Sequence, residues 1–152
     1  NVYNTKDVKK LLRQGIPLTL GFDFFYGAWN HRKASELGIE RDFKNWDLGI
    51  VGYPEFGSLD RLKSQEEGYE AGHEVVVVGY DDNYLVTTKQ TMEDGSTKEF
   101  TYKGVYIIKN SWGTTGFGKD FSYEGESFPG YGVITQKYAH EFGGFYQLPF
   151  LK

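Results

Sequence analysis

Gly72-His73-Glu74-Val75-Val76-Val77-Val78-Gly79-Tyr80 decides how the fold is read. Four successive β-branched valines bounded by glycine are too short for a buried helix, so residues 74–80 are expected to form a strand buried on both faces. Upstream, Leu18, Leu20, Phe22 and Phe24 alternate with Thr19, Gly21 and Asp23, the period-two pattern of a half-buried strand over 16–25. Before it, Asn4 and Asp7 mark a helix start, Val8, Leu11 and Leu12 share one helical face, and Gly15 supplies the stop. Downstream, residues 84–91 and 97–102 flank Asp94-Gly95, a hairpin turn signal. Residues 105–109 form a further strand ending at Asn110, 111–132 a Gly-rich loop, 131–137 a last strand, and 142–150 an aromatic tail expected to pack down. Between Phe25 and Gly72 no period is sustained; the stretch reads as a long excursion with a turn at Gly52-Tyr53-Pro54. The expectation is an α+β, mainly β fold: one N-terminal helix feeding a mostly antiparallel sheet that curls into a barrel.

The 152 residues suffice for a single domain with its own core. That core is aromatic-rich, with 12 Phe, 12 Tyr and 3 Trp, and 20 glycines fit short twisted strands better than a helical bundle. A net charge of −4 without any basic run argues against nucleic acid or an anionic membrane as partner, and the longest aliphatic run, 75–78, is far short of a membrane span. There is no cysteine, which excludes disulfides, thiolate metal sites and a nucleophilic thiol from these residues. No cofactor is implied. Asp81-Asp82-Asn83 points only weakly to a cation, since such residues also end strands and start turns. The sequence begins at Asn1 with neither Met nor a signal peptide and reads as a processed or excised piece.

Histidine is the side chain best suited to proton transfer near neutral pH. His31 and His140 lie in polar surroundings and read as solvated surface residues. His73 stands where a Gly-containing loop meets the valine strand, a place from which a scaffold presents a side chain to a cleft, or where a structural histidine satisfies itself. Asn110 ends a second strand. If the two strands are neighbours, its amide oxygen can accept the imidazole N–H and fix the ring's tautomer without adding charge, and Trp112 can cover that bond; the alternative is a turn-supporting Asn and a core Trp.

Gly72–Tyr80, then Tyr106-Ile107-Ile108-Lys109-Asn110-Ser111-Trp112-Gly113, then Gly130-Tyr131-Gly132-Val133-Ile134 together resemble the papain family of cysteine peptidases. Gly15-Ile16-Pro17-Leu18-Thr19-Leu20-Gly21-Phe22-Asp23 is similar to the family strand that follows a short helix in its β-rich half. The resemblance implies the β-barrel-like half of that fold, with insertions at about 26–70, 83–103 and 119–129. It makes His73 the catalytic base and Asn110 its orienting residue, with Trp112 shielding the pair and lining the leaving-group side of the cleft. Ala71, Gly72, Glu74 and Trp112 would contact substrate. The family's nucleophilic Cys and oxyanion-hole Gln sit on the helical half, so the missing thiol places the nucleophile on another polypeptide, and this chain alone would be inert.

Glu74 stands where the family usually has a small residue near a substrate pocket; an acid there either favours basic substrates or turns into solvent. Gly72 replaces the usual Asp or Asn, and Gly113-Thr114-Thr115-Gly116-Phe117-Gly118 is one residue longer than the family spacing, with Phe117 in place of Trp. The expected function is hydrolysis of peptide bonds in peptide or protein substrates by a two-chain thiol protease, in a secreted, periplasmic or lysosomal setting. The rival expectation is a non-catalytic relative that binds peptides or proteins without cutting them.

Overall fold

Asn4 caps the first helix through its side-chain oxygen, which accepts the Lys6 N–H at 2.8 Å. The computed structural model describes Val2 and residues 4–147. Helix α1 (Thr5–Arg13) buries Val8 and Leu12, and Gly15, at φ +76°, turns the chain out of it. Strand β1 (Leu18–Asp23) follows and pairs antiparallel with β3 (Gly72–Thr91), Leu18 opposite Val77 and Phe22 opposite His73. Strand β3 pairs antiparallel with β4 (Thr97–Lys109), so the two expected strands and the expected hairpin are one long pair. Register shifts between Val77 and Gly79 and between Asp81 and Leu85 divide that pair.

The expected barrel does not form. The sheet is open, in the order β2 (Ile50–Val51), β7 (Tyr131–Thr135), β4, β3, β1, β8 (Gly143–Gln147). Closure needs an edge-to-edge ladder. Strand β2 contributes only two residues, running parallel to β7, and does not reach β8. The valine strand is likewise not buried on both faces: Val75 and Val77 enter the core, whereas Val78 is 42% exposed. Val78 shares the opposite face with exposed Glu74 and half-buried Val76, and it has no cross-strand partner at the first register shift.

The segment 26–70 is no appendage. It holds a 3-10 helix Arg32–Leu37, α2 (Phe43–Asp47), β2 and α3 (Leu59–Lys63), and it sends Tyr26, Trp29, Leu37, Ile39, Val51 and Tyr53 into the core. Gly52 to Pro54 is extended rather than turned; the turn falls at Phe56-Gly57. Residues 83–103 are also structural, since Val86 and Tyr102 are buried. Residues 119–129 carry a small hairpin, β5 (Ser122–Tyr123) and β6 (Glu126–Ser127), anchored by buried Phe121. The last strand ends two residues early, at Thr135, whose hydroxyl caps α4 (Gln136–Phe142) by accepting the Tyr138 N–H. The aromatic tail packs down through β8 as far as Gln147; residues 148–150 lie outside the described residues.

Candidate active site

The β1–β3–β4 pairing brings three sequence-distant residues to one end of the sheet. His73 is the second residue of β3, and Asn110 directly follows β4. Their side chains meet, His73 Nε2 to Asn110 Oδ1, at 2.9 Å. The same oxygen accepts the Ser111 backbone N–H at 2.8 Å, which orients the amide: the flipped amide would set two donors against each other. With an acceptor facing Nε2, that nitrogen carries the proton. Nδ1 of the neutral ring is then left with its lone pair, and it has no hydrogen-bond partner among the described residues.

An aromatic cage encloses the ring. Trp112 stacks on it with centroids 4.6 Å apart and planes 24° apart, while Phe22 and Trp29 present perpendicular faces, each at 5.7 Å. Burial pushes the His73 imidazole below the ordinary histidine range, against the Asn110 hydrogen bond and the Glu74 carboxylate, which pull it up. The isolated site therefore holds a neutral, oriented base. Asn110 is itself buried, and its Nδ2 has no partner among the described residues.

The excursion supplies much of this cage. Phe22 and Trp29 stack 5.5 Å apart with planes 7° apart, and Trp29 is fully buried. Trp46 from α2 stacks on Trp112 at 5.9 Å with planes 25° apart. Phe117, the departure from the family spacing, is buried against Trp29 at 5.1 Å and Trp46 at 5.4 Å. Backbone bonds from Gly118 N–H to the Trp46 carbonyl and from Asp120 N–H to the Asp47 carbonyl, both 2.9 Å, fix α2 to the Gly-rich loop.

Two histidines differ from their expected solvated state. His31 is half-buried: its Nδ1 accepts the Lys33 N–H at 3.1 Å, and its ring lies 6.0 Å from Trp112 and 6.1 Å from Trp46. Burial first, then the charges of Arg32, Lys33, Arg41 and His73, drive it down to about 4. His140 bonds the Tyr106 hydroxyl and packs on Phe145. Neither position carries a sequence signal beyond the density of aromatic residues around it.

Of the remaining expected site residues, Glu74 lines a groove of about 420 Å³ with Thr19, Val75, Val76, Lys109, Asn110 and Ser111. It points to the sheet face opposite His73, as the period of two requires. Ala71 and Gly72 do not line that groove; Ala71 gives its carbonyl to the Phe24 N–H at 2.8 Å, and Gly72 pairs with Asp23. The carboxylates of the weak cation candidate are engaged elsewhere: Asp81 accepts from Tyr123 and Asn83, and Asp82 pairs with Lys9 at 2.8 Å and accepts from Gln136. Among the described residues no group of three His, Cys, Asp or Glu side chains is arranged to hold a metal ion, and no helix is long and apolar enough to cross a membrane.

Compared with models of protein families and with curated proteins, the sequence matches none.

Proposed function

We propose that this chain is the β-rich half of a papain-like cysteine endopeptidase, supplying the general acid–base His73 and its orienting Asn110 to a nucleophilic Cys that lies outside these residues. The observation that carries the reading is the 2.9 Å bond from His73 Nε2 to Asn110 Oδ1 under Trp112, which leaves Nδ1 free on a chain with no thiol of its own. A thiol presented at Nδ1 transfers its proton there, and the resulting imidazolium–thiolate pair raises the His73 pKa that burial has lowered. The thiolate attacks the peptide carbonyl, with a Gln of the partner half among the oxyanion donors. The imidazolium then protonates the departing amine, and water, deprotonated by the same nitrogen, releases the acyl group. Asn110 holds the ring in one tautomer through both transfers.

Denaturing mass spectrometry of the native preparation, before and after a thiol-directed epoxide, tests this. A Cys-bearing species that co-purifies and gains one probe mass supports the proposal. A preparation without any thiol species overturns it. An intact partner with no modification favours the non-catalytic, peptide-binding alternative.

A further inference from the structure

The imidazole of His73 begins a stack that does not end at the tryptophan above it. Trp112 covers His73 at 4.6 Å and Trp46 covers Trp112 at 5.9 Å. The Arg41 guanidinium lies 5.6 Å from the Trp46 centroid and 4.6 Å from that of Phe43. Trp112 is 38% exposed and Phe43 65% exposed, so the stack forms a shelf open to solvent on one side. Arg41 closes its far end.

The guanidinium is anchored without being neutralised. Its Nε donates to the Asn30 carbonyl at 2.6 Å, and no carboxylate among the described residues lies within ion-pair distance of it. Of the nearby acids, Asp42 caps α2 by accepting the Asn45 N–H at 3.0 Å, and Asp47, whose charge reaches Arg41, lies beyond ion-pair distance of it and faces Lys119 at 3.7 Å. Contrast Arg61, which pairs with Glu141 at 2.9 Å. Arg32, Lys33 and Arg41 all act through their charge on the His31 ring, which itself lies 6.0 Å from Trp112 and 6.1 Å from Trp46. A planar fork backed by two aromatic faces, with its terminal nitrogens unspent, suits a carboxylate.

We propose that Arg41 is a specificity-determining residue that receives a carboxylate, from an acidic side chain or from a chain terminus, on the leaving-group segment of a peptide laid along the Trp112–Trp46 shelf. The assignment of this side of the cleft rests on the peptidase reading above. An extended peptide advances about 3.4 Å per residue, and the stack distances therefore put the carboxylate no more than about five residues beyond the scissile bond.

The test uses the chain assembled with its Cys-bearing partner, and two readouts separate this inference from the one beneath it. First, kcat/KM is measured for quenched peptides with Glu or Gln at each of the first five leaving-group positions, with free-acid and amidated ends. A roughly three- to tenfold preference is expected at one position, for Glu over Gln if a side chain is read and for acid over amide if the terminus is. Second, the leaving-group fragments alone are titrated against tryptophan fluorescence, which needs no catalysis. In Arg41→Met the carboxylate preference falls to about one in both readouts, and in Arg41→Lys part of it returns. A binding preference lost in Arg41→Met supports the inference even if no peptide is cut, an outcome that overturns the peptidase reading alone. Equal binding of acid and neutral fragments, or a preference unchanged in Arg41→Met, overturns the inference even if neutral peptides are cut efficiently.

Discussion

The β3–β4 pair and the segment 26–70 contribute to the same few cubic ångströms around His73 by opposite means. The strand pair places two polar groups by register: once Val76 faces Lys109, His73 and Asn110 are within reach of each other whatever surrounds them. The 26–70 segment places aromatic surface by tertiary fit, with Trp29 buried against Phe22 and Trp46 laid over Trp112. Register sets the hydrogen bond and packing sets its dielectric. The two contributions should therefore fail differently when each is disturbed.

The largest expected loss is chemical and comes from the strand pair. With the Cys-bearing partner present, His73→Ala is expected to lower kcat/KM by about 10²–10⁴-fold, an effect far larger than the stability lost with the ring's contacts to Trp112, Phe22 and Trp29. Asn110→Ala is expected to lower it less and to depress the His73 pKa further, since the bond it removes favours the imidazolium. Activity in His73→Ala within twofold of the parent would refute the assigned role.

In the 26–70 segment the same ranking is inverted, with folding more at risk than chemistry. Trp29→Ala removes a fully buried indole from five ring neighbours, Phe22, Phe24, His73, Trp112 and Phe117, and is expected to cost about 3–5 kcal/mol in denaturant unfolding. Gly27→Ala is expected to cost about 1–3 kcal/mol, because a Cβ there would stand 2.8 Å from the Asp60 side chain. That carboxylate cannot retreat freely: it is buried and accepts from Gly27 N–H at 2.9 Å, Ala28 N–H at 2.7 Å and the Ser64 hydroxyl at 2.5 Å. A cost below about 0.5 kcal/mol for Trp29→Ala, read from the shift in urea midpoint, would mean that the segment adds little to the core it packs against.

The contrast also explains what was legible in the sequence. His73, Asn110 and Trp112 lie on or just past strands whose period and β-branching announce them, and the residue types at the strand ends are those a proton-transfer pair needs. Segment 26–70 has no period because its elements are five or six residues at most, too short to repeat a face, and its order comes from partners far along the chain. The Thr135 hydroxyl, for example, donates to the Gly52 carbonyl at 2.7 Å, and no local pattern encodes that bond. The open sheet was hidden for a related reason, as a two-residue strand such as β2 leaves no alternation to read. Reading 75–78 as doubly buried failed on one face: Glu74, half-buried Val76 and exposed Val78 alternate with buried Val75 and Val77, and a run of identical valines hides that alternation.

A smaller effect links the two regions through charge. His31 titrates at about 4 in the folded chain against 6.5 unfolded, so between those values the unfolded chain binds more protons. Its contribution to stability is complete above about pH 6.5 and is lost as the pH falls toward 4. The loss is less than the full shift would give, because the ring is about half exposed to screening. His31→Asn keeps a side-chain acceptor for the Lys33 N–H and removes the titration, so its urea midpoint should fall less than the parent's between pH 7 and pH 4.5. Equal slopes would show that His31 takes up its proton alike in the folded and unfolded chain, so that burial does not depress its pKa.

The smallest predicted effect is the finest probe of the division between register and packing. Glu74 adjoins His73 in β3 but projects to the other face, so it touches none of the aromatic cage and acts on the imidazole only through space. Its carboxylate pulls the His73 pKa upward against burial, and Glu74→Gln is therefore expected to lower that pKa by a few tenths of a unit in an NMR titration. Stability should change by less than about 0.5 kcal/mol, because the side chain is exposed. Trp112→Phe provides the opposing control, since thinning the cover lets water nearer the ring, relieves its desolvation and moves the same pKa up. Shifts of opposite sign from two substitutions flanking one histidine would mean that strand register and aromatic cover tune its proton affinity independently. A downward shift from both would mean that Trp112 acts on His73 by holding Asn110 in place rather than by excluding water.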